Sequence, residues 1–270
     1  MGAFRVAFIG GGSMGQAMAA AIIKNRLADS HEVCISDVNS ERLEQLKGEL
    51  GVRVTSNNIE AVIEADVVVL AVKPQALIDV MTEMKGKLPK MSLLFSIVAG
   101  KKIETLVAGF DHQFVVRAMP NTPGQMGKGV TVWVATQDIM VSQRINAEAI
   151  VHVLGKGLYT GYEYYLDLAT AVSGSGPAYV FLFMEEMIKA AVSLGMDEEM
   201  AKVLVFQTVT GSSEYANLAG KELGELRRMV TSPGGTTAAA LAKFEEGSFS
   251  ELIHRAIEAA YQRAVEIGAQ

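Results

Sequence analysis

Phe4-Arg5-Val6-Ala7-Phe8-Ile9-Gly10-Gly11-Gly12-Ser13-Met14-Gly15 runs a β-type segment straight into a Gly-x-Gly-x-x-Gly turn, and a helical pattern follows over residues 13–26. Glycines at this spacing, between a strand and a helix, form the context in which the motif holds a dinucleotide. Gly10 permits the tight turn, Gly12 lets the backbone approach a pyrophosphate, and Gly15 lets helix and strand pack closely. Working outward, 32–36, 52–54, 66–70, 92–98 and 114–118 read as strands, and 40–50 reads as a helix. The 66–70 run, Asp-Val-Val-Val-Leu, has no polar alternation after its first residue. Strands of that kind, alternating with helices, imply an α/β fold whose parallel sheet is covered on both faces. Segments 129–135 and 157–160 read as further strands at its edge.

The character of the chain changes near Tyr164. Beyond it 166–172, 177–194, 198–218, 223–230, 236–246 and 249–267 all read as helices. We expect two domains: a dinucleotide-binding sheet domain over 1–164 and an all-helical domain over 165–270. Ala178-Tyr179-Val180-Phe181-Leu182-Phe183-Met184 is apolar on every side of its helix. A surface helix leaves one face polar, so a second subunit is expected to cover this one.

The whole chain has 270 residues, half of them hydrophobic, and a net charge of −6. That balance argues against nucleic acid as a partner. Cys34 is the one cysteine, which excludes an internal disulfide, and the four histidines are scattered without metal-ligand spacing. The longest aliphatic run of the N-terminal half, 67–72, is far short of the roughly 20 residues that span a bilayer. Met1 leads directly into the first strand pattern, so no signal peptide and a cytoplasmic location are expected.

A second glycine-rich stretch, Val230-Thr231-Ser232-Pro233-Gly234-Gly235-Thr236-Thr237, precedes an alanine-rich helix. Exposed N–H groups at a helix start bind anions, and a carboxylate suits this one. The alternative is a plain tight turn. Asp37 ends the second strand 22 positions after Gly15. A carboxylate there bonds an adenosine ribose and repels a 2′-phosphate, or else forms an Asx turn before the next helix. Arg42 and Arg53 are candidate cations for such a phosphate. Ala71-Val72-Lys73-Pro74 closes the fourth strand at the edge that faces a ligand crevice; Lys73 touches a ligand there or is simply solvated. Arg117-Ala118-Met119-Pro120-Asn121-Thr122-Pro123, stiffened by two prolines, is a candidate wall of the same cleft.

These segments, with Ser173-Gly174-Ser175-Gly176-Pro177-Ala178-Tyr179, resemble the pyrroline-5-carboxylate reductase family in order and spacing over essentially the whole chain. The resemblance implies a Rossmann-type domain followed by a helical dimerisation domain, with interlocked homodimers that often assemble into decamers. It implies reduction of the cyclic imine 1-pyrroline-5-carboxylate to L-proline with NADPH or NADH, each site pairing one subunit's cofactor domain with its neighbour's helical domain. By position, Ile9, Gly10, Gly11, Gly12, Ser13 and Met14 would hold the pyrophosphate and Asn58 the adenosine ribose. Ala71, Val72, Lys73, Pro74 and Ala99 would line the nicotinamide side. Gly234, Gly235 and Thr236 would offer N–H groups to the substrate carboxylate, with Ser232 beside them. Ser175, Gly176 and Pro177 would shape the helix bordering the pocket. Thr237, the candidate catalytic residue, would place its hydroxyl near the ring nitrogen. The family commonly favours NADPH and many members carry a small hydroxyl residue where this chain has Asp37. Two rival readings exist: a 3-hydroxyacid dehydrogenase, which needs a lysine that 179–184 lacks, and a non-catalytic dinucleotide-binding regulator, which has no use for an intact Gly-Gly-Thr-Thr segment.

Overall fold

The computed structural model describes residues 4–269. Among them eight strands form one sheet in the order β3-β2-β1-β4-β5-β6-β7-β8. They are β1 (Val6–Ile9), β2 (Val33–Ser36), β3 (Arg53–Thr55), β4 (Val67–Leu70), β5 (Leu93–Ser96), β6 (Val115–Met119), β7 (Gly129–Ala135) and β8 (Gly155–Tyr159). The chain builds outward from β1 to β3, returns to β4 on the other side of β1, and builds outward again, all in parallel as far as β6.

One junction departs from the parallel sheet expected. β7 runs antiparallel to β6, and the edge strand β8 then runs parallel to β7. The β6–β7 connection holds only a 3₁₀ turn over Thr122–Met126. That is too short for the crossover a parallel pair requires.

Helices α1 (Ser13–Lys24), α2 (Ser40–Leu50), α3 (Asn58–Val62), α4 (Leu77–Met84), α5 (Ile103–Phe110) and α6 (Val141–Leu154) cover the sheet. Alternate strand residues point to opposite faces, and both faces are buried. Val6, Phe8, Val67, Val69, Leu93 and Phe95 pack with Met18 and Ile22 of α1 and Ile150 of α6. Ala7, Ile9, Val68, Leu70 and Leu94 pack on the other face with Val62, Leu77, Met84 and Leu106 of α3, α4 and α5. This two-sided burial is why the central strands are continuous apolar runs.

The helical part comprises α7 (Tyr164–Ala169), α8 (Gly176–Ser193), α9 (Glu198–Leu218), α10 (Leu223–Met229), α11 (Thr236–Glu246) and α12 (Phe249–Ala269). The helix expected over 166–172 stops at Ala169 and continues as a π turn over Thr170–Gly174. The chain divides into two compact units. One runs to Ser175 and takes in the chain again from Ala260; the other is Gly176–Ala259. In the second unit α8 and α9 pack on each other, yet α8 has no buried residue. Phe181 is 62% exposed and Leu182 59%, so the apolar run read from the sequence lies open in the single chain.

Within the first unit, Arg117 of β6 is 3% exposed and bonds Glu163 at 2.9 Å and Asp167 of α7 at 2.5 Å. Glu163 also accepts the N–H of Ile103, the first residue of α5, at 2.7 Å. The buried guanidinium thus ties the helical segment after β8 to the sheet and to α5. Removing one member of a buried ion cluster strands the others. Arg117→Met is expected to lower the unfolding free energy by about 3–5 kcal/mol, read from urea melts.

His112 is buried, and its Nε2 lies 2.7 Å from the carbonyl oxygen of Ser92. A carbonyl only accepts, so Nε2 carries the proton. Burial holds the pKa below the ordinary 6.5, against a smaller upward pull from the Ser92 bond. A base whose folded pKa is depressed contributes stability above its unfolded pKa and loses it as pH falls. The urea midpoint should therefore drop between pH 7.5 and 5.5, with a shallower drop for His112→Gln.

Candidate active site

The strand register aligns Ile9, Ser36, Thr55, Leu70, Ser96 and Arg117 in one row across the sheet. The turns leaving the carboxyl end of that row carry Gly10 to Gly12, Asp37, Ala71 to Pro74, and Ala99. Strand order reverses between β1 and β4, and such a switch point opens the crevice where parallel sheets bind ligands.

Gly10 has φ +103° and donates its N–H to the Ser36 carbonyl at 2.8 Å. A Cβ at this position would meet the Ala71 carbonyl oxygen at 2.7 Å, and one at Gly15 would meet the Gly10 oxygen at 2.5 Å. Both positions therefore require glycine for steric reasons. Gly12 differs: it is the extended N-cap of α1, with no side chain to cap the helix and open space where a Cβ would stand. Gln16 donates to the Gly12 carbonyl at 2.9 Å, whereas the N–H groups of Gly12, Ser13, Met14 and Gly15 have no partner among the described residues. Four unpaired donors at a helix start, beside open space, form a cradle that fits a pyrophosphate.

Asp37 serves the backbone through both oxygens. Oδ2 accepts Gly11 N–H at 2.7 Å, and Oδ1 accepts Asn39 N–H at 2.9 Å. The second bond is the Asx turn foreseen as one alternative. Arg42, from α2, donates through Nε to the Gly11 carbonyl at 2.8 Å and through Nη2 to Gln16 at 2.6 Å. Its remaining nitrogen, Nη1, reaches Gln45 at 2.8 Å. Gly11 is thus held through both its N–H and its carbonyl, by Asp37 and Arg42. Arg53 does not belong here: it pairs in register with Cys34, two residues before Ser36, and faces Arg5, Glu60 and Glu64 in a groove of about 180 Å³. Its suggested role beside a phosphate is therefore corrected, because it sits at the opening end of its strand and the cradle lies at the other.

Asn58 begins α3, a helix that the sequence reading passed over. Its Oδ1 accepts the Ser36 hydroxyl at 2.6 Å and its Nδ2 donates to Glu83 of α4 at 2.8 Å. The residue thus stands beside the end of β2. Lys73 is exposed and Val72 half-buried, and Pro74 opens a 3₁₀ turn. Ala99 is half-buried in a loop whose Gly100, at φ +75°, lies tightly against Gly268 in the last turn of α12. Ser175 closes the π turn, donating its N–H to Thr170 at 2.8 Å. A Cβ on neighbouring Gly174 would meet Met119, at the end of β6, at 2.6 Å. Arg117, in the suggested cleft wall, spends its charge on Glu163 and Asp167.

In the second unit, Gly234 has φ +69° and Gly235 is the extended N-cap of α11, again without a side-chain cap. Gly235 N–H bonds the Ser232 carbonyl at 3.0 Å, and a Cβ on Gly235 would strike the Ser232 hydroxyl. The N–H groups of Thr236, Thr237 and Ala238 have no partner among the described residues. Thr236 is exposed and Thr237 half-buried. α11 thus starts, like α1, with unpaired backbone donors and no side-chain cap, and the Thr237 hydroxyl lies in its first turn.

A parallel sheet with a glycine-built pyrophosphate cradle at its switch point, followed by a helical unit, defines a dinucleotide-dependent oxidoreductase. The particular family follows from its relatives. Residues 5–100 match the model described as NADP oxidoreductase, coenzyme F420-dependent, and residues 163–267 match the model of pyrroline-5-carboxylate reductase dimerisation. The pyrroline-5-carboxylate reductase of Pseudomonas aeruginosa is 38% identical over 98% of this chain and 97% of its own length. The solved reductase of Coxiella burnetii superposes with a TM-score of 0.86 at 36% identity, covering 98% of this chain and 99% of that one. The Plasmodium falciparum enzyme, solved with NADP bound, superposes at 0.91 with 30% identity, covering 98% of each chain. The chain belongs to the pyrroline-5-carboxylate reductase family and carries that family's dimerisation domain.

The two glycines of the cradle should separate on mutation. Gly10→Ala is expected to destabilise the fold by about 1–3 kcal/mol through its positive φ and the Ala71 clash. Gly12→Asp should melt near the wild-type temperature yet lose dinucleotide binding in calorimetric titration.

Proposed function

We propose that this protein reduces 1-pyrroline-5-carboxylate to L-proline with NADPH or NADH, the last step of proline synthesis. The observation that carries the reading is the pair of uncapped helix starts, at α1 and at α11, within a chain of this family. The N–H groups of Gly12, Ser13 and Met14 hold the pyrophosphate of the dinucleotide. Ile9, Gly10 and Gly11 shape the turn behind it, and Asp37 and Asn58 take the adenosine side. Ala71, Val72, Lys73, Pro74 and Ala99 line the nicotinamide side. When bound, the reduced nicotinamide supplies a hydride.

The N–H groups at the start of α11, Thr236 first, grip the substrate carboxylate. Gly234 and Gly235 shape the turn that presents them, Gly235 through its own bond to the Ser232 carbonyl, with the Ser232 hydroxyl at the rim and Ser175 bordering the pocket. This grip fixes the ring so that its imine carbon faces the hydride source. Positive charge on a protonated imine nitrogen makes that carbon the better acceptor. The Thr237 hydroxyl hydrogen-bonds the ring nitrogen and orients it, with the proton coming through solvent, because an alcohol is a weak acid at neutral pH. Alignment of this kind lowers barriers by roughly 7–11 kcal/mol, so the protein acts through position and electrostatics.

For the assembly we propose interlocked homodimers joined through the helical domain of 165–270, each completing its partner's site, and further association into a decamer. The exposed Phe181 and Leu182 of α8 support the first step. The sheet domain of 1–164 would carry the cofactor. We place the enzyme in the cytoplasm; among the described residues no helix is long and apolar enough to cross a membrane.

The test is loss of reduced-nicotinamide absorbance on adding pyrroline-5-carboxylate, with proline as the product. Absence of turnover with both cofactors, in protein shown to bind them, would sink the proposal. Thr237→Ala is expected to lower kcat by about ten- to a hundredfold, the scale of a lost positioning contact, with Thr237→Ser close to wild type. Unchanged turnover in Thr237→Ala would remove the role assigned to that hydroxyl.

A further inference from the structure

Specificity for the adenosine half of the cofactor is decided by what surrounds the end of β2. We propose that Asp37 makes this enzyme select NADH over NADPH, an inference that rests on the dinucleotide site described above.

Four observations carry it. First, Asp37 is half-buried at the end of β2 and is fixed from two sides, by Gly11 N–H at 2.7 Å and Asn39 N–H at 2.9 Å. A carboxylate has about four acceptor positions, so two remain for the hydroxyls of a ribose. Fixing by backbone donors keeps the carboxylate from swinging away when a phosphate arrives. Second, the neighbouring guanidinium is already engaged: all three Arg42 nitrogens have partners, at Gly11, Gln16 and Gln45. Two of its five N–H donors remain, so the guanidinium meets a 2′-phosphate only from the position in which those three bonds fix it; turning it further would release the Gly11 carbonyl that Arg42 holds. Third, Arg53 lies at the opening end of its strand, in register with Cys34, and so leaves the carboxyl end of the row without its charge. Fourth, the residues that follow Asp37 are Val38, Asn39, Ser40 and Glu41. Val38 is 97% exposed and offers an apolar face, and Glu41 places an acidic residue in the first turn of α2. Asn39 uses its side-chain oxygen to cap that helix, accepting Arg42 N–H at 3.0 Å.

A ribose diol donates hydrogen bonds and a carboxylate accepts them, so NADH finds a partner in Asp37. A 2′-phosphate carries negative charge and only accepts at neutral pH, so it meets like charge from Asp37. Against that repulsion stand the charge of Arg42, held in its three bonds, and the backbone N–H groups at the start of α2, which Glu41 opposes.

The experiment is calorimetric titration of the full-length protein with NADH and with NADPH, without imine substrate, for the wild type, Asp37→Ser and Asp37→Asn. Wild-type Kd should be lower for NADH by at least about tenfold, the effect of one well-placed charge. Asp37→Ser should weaken NADH and tighten NADPH, shifting the ratio of Kd values by at least about tenfold. Asp37→Asn keeps an acceptor for Gly11, gives up the one for Asn39 and removes the charge, so it should move the ratio in the same direction, with the folded state of both variants checked by thermal melting. A wild type that binds NADPH as tightly as NADH overturns the inference. So does an equal change of both Kd values in the two variants, which would leave Asp37 a support for Gly11 alone. Those two results leave the reductase reading standing. Failure of the folded wild type to bind either dinucleotide overturns both.

Discussion

The close approach of Gly10 to Ala71 is the constraint on which the cofactor half of this molecule depends. β1 and β4 are neighbours, and the turns leaving them must pass each other within van der Waals distance. With φ at +103° and no side chain, Gly10 lets the chain reverse there while bonding back to Ser36 on the other neighbour. The turn then delivers Gly12 in an extended conformation at the head of α1. Every feature of the cradle follows from that geometry. The N–H groups are unpaired because Gly12 has no side chain to cap them, and open space lies beside them where a Cβ on Gly12 would stand. A protein that left four donors unpaired in its interior would lose stability; at the edge of a crevice they are solvated until an anion replaces the water.

α11 repeats the device with different support. Gly235 is again an extended, uncapped helix start. Here the crowding neighbour is the Ser232 side chain rather than another strand, and the flanking residues stay exposed or half-buried. The α1 cradle is fixed by the sheet; the α11 cradle is fixed by its own loop. The first is rigid by virtue of its neighbours in the sheet; the second is only as rigid as the loop that carries it.

The parts of this fold that were legible in the sequence are those where one physical cause dominates. Burial on both faces wrote the central strands as unbroken aliphatic runs such as Val67-Val68-Val69-Leu70. The helices α2, α9 and α11 begin and end where the pattern places them. Short elements held by side-chain capping were harder to see. α3 has five residues, too few to show a period, and depends on Asn57 accepting the N–H groups of Ile59 and Glu60. The direction of β7 was hidden because alternation reports which face a residue takes and says nothing of strand polarity. Of the site, both glycine stretches were readable. The clamp on Gly11 was not, since Asp37 and Arg42 are 26 and 31 positions away and only pairing of β1 with β2 brings them together. The same pairing shows why Arg53, which looked equivalent to Arg42 in the sequence, is not: a short parallel strand has two ends, and charge near a ligand counts only at one of them.

The helical unit poses the complementary problem. In the single chain, α8 buries no residue, and in α9 only Ala201 and Val205 are buried. Phe181, Leu182, Val203, Leu204 and Phe206 lie between half and two-thirds exposed. Burying a fully exposed side chain of this kind is worth about 1.5–3 kcal/mol, so five that are half to two-thirds exposed together forgo roughly 4–10 kcal/mol, comparable with the net stability of many whole domains. Helices with so little internal burial cannot draw their order from their own core. A dimerisation domain resolves this: the apolar surface missing from the core is buried between copies, and the folding of these helices becomes inseparable from their association. The uncapped start of α11 belongs to this unit, so its order is tied to that association, whereas the glycine turn ahead of α1 is held by the sheet.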